Sequence, residues 1–499
     1  MHRYALRAPS VLALMLTFAV AWLWHLSGAS LTAPQDNLEQ LLWTHSLQWG
    51  YYKHPPLPTW LLWPAVQLAA SPSGHIWASY VVGASVSLLA VFVFWHLLAH
   101  LRGRPYAFVA VLAALCITYY NGRLYYYNHN TVLMLAVCLS AWACWRAFEA
   151  RSLLWWAALG MALGLGALSK YQIAISVICV LVFFISQGAW RVAVYRQGLL
   201  LAGGVALLVF SPHAFWLQAN DFQPFVYATQ TSLGLNLDGA QRILQSLRWL
   251  ADMLLNRALP AWLFLAAVAF IAAKHQTPAN DARARMLHAT DARRFLLIWG
   301  FVPLVFTVLV SLGTGAELQL QWGTAFLLFA VPAVMELSSV ARKSINIARA
   351  LCVFILFQAL LMLASHLSSF KGPASMRDKH WRSFDSVKFA QRIAPTALAQ
   401  LGGHIHIVIG PSNLASALAV HLPGQPLVLV DGRYDISPWV QKDDVKRCGA
   451  VEIVKKVGGA FPNDVKSLEQ DFPGLGFRIV RPETGQPPCS KHEREAHKL

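Results

Sequence analysis

The chain has 499 residues, of which 57% are hydrophobic and only 13% are charged. Soluble globular proteins carry about 25% charged residues, so this composition excludes an ordinary water-soluble protein. The formal net charge of +17 could indicate nucleic-acid binding. However, the sequence has no Lys/Arg tract with interleaved aromatic residues, and much of the charge falls in short loops between apolar segments. We therefore expect a membrane protein that does not bind nucleic acid.

Apolar stretches of about 20 residues, each long enough to cross a hydrocarbon core of about 30 Å, recur along the first three quarters of the chain. The first stretch follows Arg3 and Arg7 as in a signal peptide, but it continues without a cleavage site and is better explained as an uncleaved helix. The pattern predicts eleven membrane spans, at residues 9–29, 76–99, 106–120, 131–148, 152–168, 172–188, 199–217, 249–273, 295–313, 322–340 and 349–367.

Positive charge is distributed unequally between the alternate loops that join these spans. One set of loops holds clusters of cations, at residues 102–104, 146–151, 191–196, 274–294 and 342–349, whereas the opposite set holds only scattered ones. Because cytoplasmic loops carry the excess of Lys and Arg, the N-terminus is predicted to be cytoplasmic. After an odd number of spans, the C-terminus is predicted to lie outside.

From about residue 371 the pattern changes to amphipathic helices that alternate with short apolar strands. Helices are predicted at 383–399 and 411–421, strands at 404–410 and 426–431, and a further helix and strand within 441–455. Such alternation predicts a small α/β domain with a largely parallel sheet.

The predicted organisation is thus a polytopic helical membrane domain at 1–370, whose first outer loop covers 32–75, then an outer α/β domain at 371–482. The polar residues 483–499 are predicted to form a disordered tail. Cys448 and Cys489 lie in this polar part of the chain, where an oxidising compartment would allow them to form a disulfide.

The first outer loop contains the most chemically informative segment, PQDNLEQLLWTHSLQWGYYKHPPLPTWL at residues 34–61. Its Trp and Leu residues at helical spacing predict a helix lying in the membrane interface. Asp36 follows the first span and Glu39 comes one helical turn later, so both carboxylates would share one face of that helix. Asp36 fits a helix N-cap equally well. Residues 51–58, YYKHPPLP, add a cation, an imidazole and rigid prolines at the same membrane face.

This arrangement resembles the glycosyltransferase-C superfamily, and is most similar to its bacterial protein mannosyltransferase-like group (family 39) and the related aminoarabinose lipid A transferases. The first-loop acidic residues and the aromatic-x-Lys/His-Pro-Pro-Leu block carry the resemblance. Three later segments are similar in order and spacing, ALGLGALSKYQIAI at 162–175, SPHAFWLQANDFQPFVYA at 211–228 and QWGTAFLLFAVPA at 321–333.

The resemblance implies an inverting transfer of a sugar from a polyprenyl-phosphate donor to an acceptor on the periplasmic face of the bacterial inner membrane. It implies that Asp36 is the general base, and Glu39 and Asp221 are candidates for a supporting acid, base or acceptor contact. An inverting displacement needs one carboxylate opposite the leaving group, while the departing phosphate needs cations or hydrogen-bond donors. The candidate phosphate-binding residues are Lys53, His54, Arg123 and Lys170. The candidate sugar or acceptor contacts are Tyr52, Asn128, His129, Glu317 and Trp322.

Lys53 occupies a position that is often acidic in similar enzymes, so participation of a divalent metal ion is unresolved. A second acidic residue that is common after the third span is missing, and Asn128, His129 and Asn130 lie in that region. Lys170 could simply snorkel to the interface, Asp221 could cap a helix, and Asn128 and His129 could solvate their loop.

The acceptor could be lipid A, lipopolysaccharide core, another glycolipid or a protein hydroxyl, the last making the chain a protein O-mannosyltransferase. A transporter or flippase of lipid-linked sugars is a further alternative. It is disfavoured because the sequence shows no obvious internal repeat and few charges inside its spans. An O-antigen ligase or polymerase would place its chemistry in a late outer loop instead of the first one.

Overall fold

The computed structural model describes residues 7–69, 71–233, 237–271, 282–338, 346–373, 375–376, 381–458, 460–485 and 489. Within these ranges the first three quarters of the chain form a helical bundle. Its helices are α1 (Ala8–Gly28), α2 (Gln35–Trp43), α3 (Leu57–Leu68), α4 (Pro72–Arg102), α5 (Arg104–Ala114), α6 (His129–Ala150), α7 (Leu153–Ala167), α8 (Ala174–Ser186), α9 (Ala193–Ala219), α10 (Gln223–Ala228), α11 (Gly239–Ala251), α12 (Leu259–Ile271), α13 (Ala282–Thr314), α14 (Leu327–Leu337) and α15 (Ile347–Ser368).

Six helices of the described residues are long and apolar enough to cross a bilayer alone, namely α1, α4, α6, α9, α13 and α15. A seventh candidate is a pair bent by 49°, in which α11 and the turn that follows it continue into α12. Shorter apolar helices are α5, α7, α8 and α14. Each of the eleven predicted spans coincides with one of these elements, so the chain is a helical membrane protein. The number of crossings and their direction stay predictions.

Some helices end earlier than the hydropathy pattern predicts. The predicted span 106–120 stops at Ala114, and its remainder forms turns that run to residue 128. The Asn121 side chain donates to the Leu115 carbonyl at 3.0 Å, and the Thr118 N–H donates to the Arg257 carbonyl at 3.0 Å. These side-chain and long-range partners replace the helical hydrogen bonds there.

The last part of the described chain forms a small α/β unit. Its helices are α16 (Ser386–Gln400), α17 (Ser412–Ala419) and α18 (Asp444–Cys448), and its strands are β1 (Ile407–Gly410), β2 (Leu427–Val430), β3 (Ala450–Lys455), β4 (Lys466–Ser467) and β5 (Leu475–Val480). The sheet order is β2-β1-β3-β5-β4. β1 pairs in parallel with β2 and β3, whereas the β3–β5 and β4–β5 pairs are antiparallel.

The prediction of a largely parallel sheet is therefore wrong for half of it. A parallel return needs a crossover connection, usually a helix, and the described chain between β3 and β5 holds none. Cys448 and Cys489 form a disulfide, with their Cα atoms 5.0 Å apart. Apart from residues 483–485 and 489, the predicted disordered tail 483–499 lies outside the described residues.

Helix α2 forms as predicted, but it is buried in the protein instead of lying on its surface. The seven residues from Asn37 to Trp43 are all buried. Leu42 and Trp43 belong to one hydrophobic core with residues of the α/β unit, such as Phe389. Leu41 packs on the bundle side, in a cluster with Tyr127. The helix is therefore clamped between the two parts of the molecule.

A buried amide fixes the position of α2. The Asn37 side chain is 0% exposed. Its Nδ2 donates to Ser79 Oγ and to the Tyr125 carbonyl, both at 2.9 Å, and its Oδ1 accepts from the Tyr127 N–H at 2.9 Å. Because buried polar groups are costly unless they are hydrogen-bonded, these three bonds hold α2 in one position against α4 and residues 125–127.

We expect Asn37→Ala to destabilise the protein by about 2–4 kcal/mol, because it leaves buried partners unsatisfied at about 1–3 kcal/mol each. The measurement is thermal unfolding in detergent, followed by tryptophan fluorescence. The matched control is Asn463→Ala, since that side chain is exposed in the α/β unit. Equal melting temperatures for the two variants would contradict the anchoring role of Asn37.

Candidate active site

Asp36 lies in the first turn of α2 and is exposed to solvent. Its Oδ2 accepts a hydrogen bond from Asn128 Nδ2 at 2.7 Å. The N-cap of α2 is Pro34, and no side chain caps this helix, so the simpler interpretation of Asp36 as an N-cap is wrong. The carboxylate instead gains from the positive end of the helix dipole while staying accessible.

Asn128 holds the Asp36 carboxylate in a fixed orientation. It is the N-cap of α6, where its Oδ1 accepts from the backbone N–H groups of Asn130 at 2.9 Å and Thr131 at 3.1 Å. Since the amide oxygen faces the helix, the amide NH2 must point away from it, toward Asp36. The residue predicted to contact sugar or acceptor thus contacts the candidate base.

Lys170 approaches the site from the end of α7. Its Nζ donates to Asn130 Oδ1 at 2.8 Å, which ties it to the first turn of α6. Burial lowers the pKa of Lys170 to about 8, and the carboxylate of Asp36 partly opposes this effect. No described carboxylate forms an ion pair with this ammonium, so it is free to meet an anionic ligand.

Lys53 is engaged in a different way. Its Nζ lies 2.5 Å from Glu39 Oε1, and the two side chains are only 14% and 10% exposed. Burial alone would lower the pKa of Lys53, but the Glu39 carboxylate together with Tyr52 and Tyr227 outweighs burial and holds that pKa above its usual value. The ammonium also lies 5.1 Å from the Tyr52 ring centroid and 5.3 Å from that of Tyr227. Glu39 and Lys53 therefore neutralise each other beside the exposed Asp36.

His54 and His129 form a buried ring pair. Their ring centroids lie 4.0 Å apart, and His129 is 3% exposed. Burial, together with the charges of His129 and Lys170, lowers the pKa of His54 well below its usual value, so the imidazole is neutral near pH 7. Gln40 Nε2 lies 3.4 Å from His129 Nε2. This pair can offer hydrogen bonds to a ligand but no charge.

A second group of cations lies along the turns between α5 and α6. Arg123 lies over the rings of Tyr119 at 5.3 Å and Tyr126 at 5.4 Å, and Arg257 also lies 5.3 Å from the Tyr119 centroid. Arg382 lies 5.9 Å from the Tyr125 centroid. The sequence analysis predicted Arg123 but missed Arg257 and Arg382, whose distant positions along the chain gave no local signal.

Tyr52 contacts Lys53, whereas Asp221, Glu317 and Trp322 have no described contact with the other candidate residues. Tyr52 packs against Tyr227, with ring centroids 5.9 Å apart. Asp221 is exposed in the turn after α9, and the N-cap of the next helix is Phe222, so the alternative capping role of Asp221 is wrong. Glu317 and Trp322 lie around a short turn near α14, and both are partly buried. Among the residues described, the structure thus gathers Asp36, Glu39, Lys53, His54, Asn128, His129 and Lys170 around α2 and the start of α6.

Among the described residues, Asp36 belongs to no metal-ligand cluster, and it does not line the nearby cleft. Among the residues that the structure describes, no group of three or more His, Cys, Asp or Glu side chains is placed to hold a metal ion. Three protein ligands for a divalent ion are therefore not gathered among these residues. A cleft of about 880 Å³ lies between α2 and the α/β unit, lined by Leu38, Leu41 and Leu42 rather than by Asp36 or Glu39.

Comparisons with known proteins point to one class of enzyme. Residues 53–216 match the family described as dolichyl-phosphate-mannose-protein mannosyltransferase. The lipopolysaccharide core galacturonosyltransferase RgtA of Rhizobium johnstonii is 27% identical over 236 residues, which is 46% of this chain and 46% of RgtA. RgtB of the same organism, with the same description, is 23% identical over 402 residues, covering 79% of this chain and 78% of RgtB. The chain thus spans about half the length of RgtA and over three quarters of RgtB.

Comparison with solved structures shows which fold the chain resembles. The crystal structure of ArnT from Cupriavidus metallidurans bound to undecaprenyl phosphate superposes with a TM-score of 0.55 at 14% identity, covering 95% of this chain and 98% of ArnT. The apo structure of the same protein gives 0.54 at 15% identity. The resemblance to the glycosyltransferase-C superfamily is confirmed. The glycosyltransferase-like match begins at Lys53 and so contains His54, Arg123, Asn128, His129 and Lys170, while Asp36 and Glu39 precede it.

The buried Glu39–Lys53 pair generates a prediction about stability. We expect Glu39→Gln and Lys53→Met each to cost about 3–5 kcal/mol, because each leaves one charge buried without its partner. The double variant should cost clearly less than the sum of the two, as measured by unfolding of the purified protein in detergent. The comparison pair is Arg433–Asp435, whose side chains are 59% and 53% exposed, and its removal should cost about 1 kcal/mol or less. Additive single effects at Glu39 and Lys53 would contradict a coupled pair.

Proposed function

We propose that the chain is an inverting glycosyltransferase that moves a sugar from a polyprenyl-phosphate donor to an acceptor at the periplasmic face of the inner membrane. The observation that carries this proposal is the exposed Asp36 carboxylate, which Asn128 orients and which lies near the unpaired Lys170 ammonium. One accessible carboxylate next to a free cation is what a displacement at a phosphate-bound sugar requires.

In the proposed reaction, an acceptor hydroxyl binds at Asp36 and gives its proton to the free carboxylate oxygen. The acceptor oxygen then forms a bond to the anomeric carbon, while the bond between that carbon and the phosphate oxygen breaks. Both electrons of that bond leave with the polyprenyl phosphate, and the configuration at the anomeric carbon inverts. The protonated Asp36 returns its proton to solvent, to which it is exposed.

Cations near Asp36 support this chemistry. The charge of Asp36 acts on Lys170, and the charges of Asp36 and Arg123 both act on Tyr126, so both cations are near the carboxylate. A departing phosphate held by such groups needs little proton donation, because its developing charge is already stabilised. Lys53 and His54 are left with a supporting role, because the first is paired with Glu39 and the second is neutral.

An envelope glycolipid is the acceptor class that the comparisons support. RgtA and RgtB are both described as lipopolysaccharide core transferases. The ArnT structure carries undecaprenyl phosphate, which supports a polyprenyl-phosphate donor for the same fold. In this proposal the domain of residues 1–370 holds the donor. The α/β domain of residues 371–482 lies in the periplasm and covers α2.

We expect Asp36→Asn to abolish transfer, with a loss of at least about 100-fold, because removal of a general base costs about 10²–10⁴-fold. Substitution by Asn keeps the size of the side chain, and the protein should remain inserted and folded. The measurement is mass spectrometry of envelope glycolipids from cells that express either form, with the transferred sugar as the readout.

The control for this experiment is Asp221→Asn, which removes another exposed carboxylate that has no described contact with Asp36. It should leave the glycolipid profile unchanged. Near-normal glycosylation in the Asp36→Asn cells would remove Asp36 from the mechanism. A profile that does not depend on the protein at all would contradict the choice of an envelope glycolipid as the acceptor.

Lys170 gives a second prediction, about pH. Its pKa of about 8 means that the ammonium is mostly charged near pH 7 and mostly neutral at about pH 9. Affinity for a polyprenyl phosphate should therefore fall as pH rises through about 8. Lys170→Arg should keep its affinity over this range, because a guanidinium stays charged.

The measurement for Lys170 is a titration of undecaprenyl phosphate into the detergent-solubilised protein at a series of pH values. The wild-type affinity and the Lys170→Arg affinity should separate above about pH 8. Parallel pH profiles for the two proteins would exclude Lys170 as the group that binds the phosphate.

A further inference from the structure

Four cationic or potentially cationic side chains meet where the outer ends of α1 and α15 come together. His25 near the end of α1 and His366 near the end of α15 have ring centroids 6.4 Å apart. The Lys371 ammonium lies beside Gly28, where a methyl group would be 3.5 Å from Nζ. The charges of His366, Arg382 and Lys371 all act on His25. We name these four residues the α1–α15 cationic cluster.

This cluster has no counter-charge within the described residues. None of the ion pairs recorded there involves His25, His366, Lys371 or Arg382. Like charges held close together at a membrane surface repel each other unless an anion lies between them.

Two nitrogen atoms of the cluster are also buried without a hydrogen-bond partner. They are His25 Nε2 and Arg382 Nε, and the neighbouring Thr32 Oγ1 is buried without a partner as well. Buried polar atoms in native proteins are nearly always satisfied, and an exception calls for a bound water or ion. Two unsatisfied nitrogens within a group of cations fit the oxygen atoms of an anion.

Arg382 is held firmly in this position. Its Nη2 donates to the Gly122 carbonyl at 3.2 Å, and its guanidinium lies over the rings of Tyr125 and Trp381. The Arg382 carbonyl accepts from the Leu31 N–H at 2.8 Å, which fixes the backbone to the segment after α1. A guanidinium fixed by these contacts presents its remaining N–H donors in fixed directions, as an anion site requires.

The surroundings of the cluster indicate that its ligand comes from the membrane. Trp24, next to His25 on α1, is 79% exposed, and Leu363, one turn before His366 on α15, is 53% exposed. Both helices are long and apolar enough to cross a membrane, so we infer that these exposed apolar side chains face lipid. We propose that the α1–α15 cationic cluster binds the phosphate group of a membrane lipid, at a site separate from Lys170.

This lipid-phosphate site is additional to the proposed sugar transfer, and its existence does not depend on whether the chain transfers a sugar. Phosphate suits the cluster because several cations can share its oxygen atoms, and Arg and Lys both bind it through charge-assisted hydrogen bonds. The same chemistry is present in a polyprenyl phosphate, a phosphorylated glycolipid and free phosphate. The experiment therefore compares a lipid phosphate with the corresponding alcohol and with inorganic phosphate.

The experiment is native mass spectrometry of the full chain in detergent, with farnesyl phosphate, farnesol and inorganic phosphate as probes. We expect the wild-type protein to bind two molecules of farnesyl phosphate, one at Lys170 and one at the cluster. Farnesol should bind at neither site, and inorganic phosphate should compete only weakly. The double variant Lys371→Gln/Arg382→Gln should lose one of the two molecules, with affinity weakened by about tenfold or more.

Control variants separate this proposal from the proposed function. Lys170→Gln should lose the other molecule and keep the one at the cluster, whereas Arg481→Gln, which removes an exposed cation of the α/β unit, should keep both. If the protein transfers no sugar but still binds farnesyl phosphate at the cluster, the proposed enzymatic function fails and the lipid-phosphate site stands. The lipid-phosphate site would be overturned if the Lys371→Gln/Arg382→Gln variant still bound two molecules of farnesyl phosphate. It would also be overturned if inorganic phosphate bound as tightly as farnesyl phosphate.

A second variant keeps the test informative if the double variant unfolds. His366→Gln removes one imidazole from the lipid-facing side of the cluster and leaves the bonds of Arg382 intact. It should weaken the second binding event and leave the first unchanged. An unchanged second event in folded His366→Gln protein would also overturn the proposal.

Discussion

The three hydrogen bonds of the buried Asn37 amide are the constraint on which the candidate site depends. They join α2 to α4 and to the backbone of residues 125–127, and each lies at 2.9 Å. Asp36 precedes Asn37 directly, so the anchored residue sets where the exposed carboxylate emerges. Residues 125–127 run straight into Asn128, whose amide holds Asp36. One buried side chain thus fixes both the carboxylate and the group that orients it.

The charged side chains near Asn37 are of two kinds. Glu39 and Lys53 form an ion pair, whereas the Lys170 ammonium has no carboxylate partner among the described residues. Removing two charges from water costs several kcal/mol per ion, and a well-placed partner offsets that cost. Glu39 and Lys53 satisfy each other, so Lys53 is not available to a ligand in this arrangement. Among the described residues, Lys170 has an amide oxygen and no carboxylate as its hydrogen-bond partner, and its lowered pKa reflects the cost of burying an unpaired ammonium. The free cation, not the paired one, has the properties needed at a leaving phosphate.

The sequence predicted the helices well because hydropathy is a local property that each span carries by itself. It predicted that Asp36, Lys170 and Asn128 matter through resemblance to a family, but it could not pair them. Asp36 and Asn128 are 92 residues apart, and Lys170 is 40 residues from Asn130. The Glu39–Lys53 pair, the antiparallel half of the sheet and the α1–α15 cationic cluster were missed for the same reason. Each depends on which segments of the chain meet in space, and local periodicity does not record that.

The α/β unit is better regarded as part of the site than as an appended domain. Trp43 and Tyr51 of the first loop stack with their ring centroids 4.5 Å apart, and both belong to the hydrophobic core of that unit. Ser412, at the start of α17, lies close enough to Glu39 to act on the pKa of its carboxyl group. Removing the unit would expose Leu42, Trp43 and Tyr51, at about 1.5–3 kcal/mol for each large apolar side chain. Because α2 carries Asp36, loss of that core would release the carboxylate as well, so residues 371–482 contribute to the position of the candidate base even without touching it.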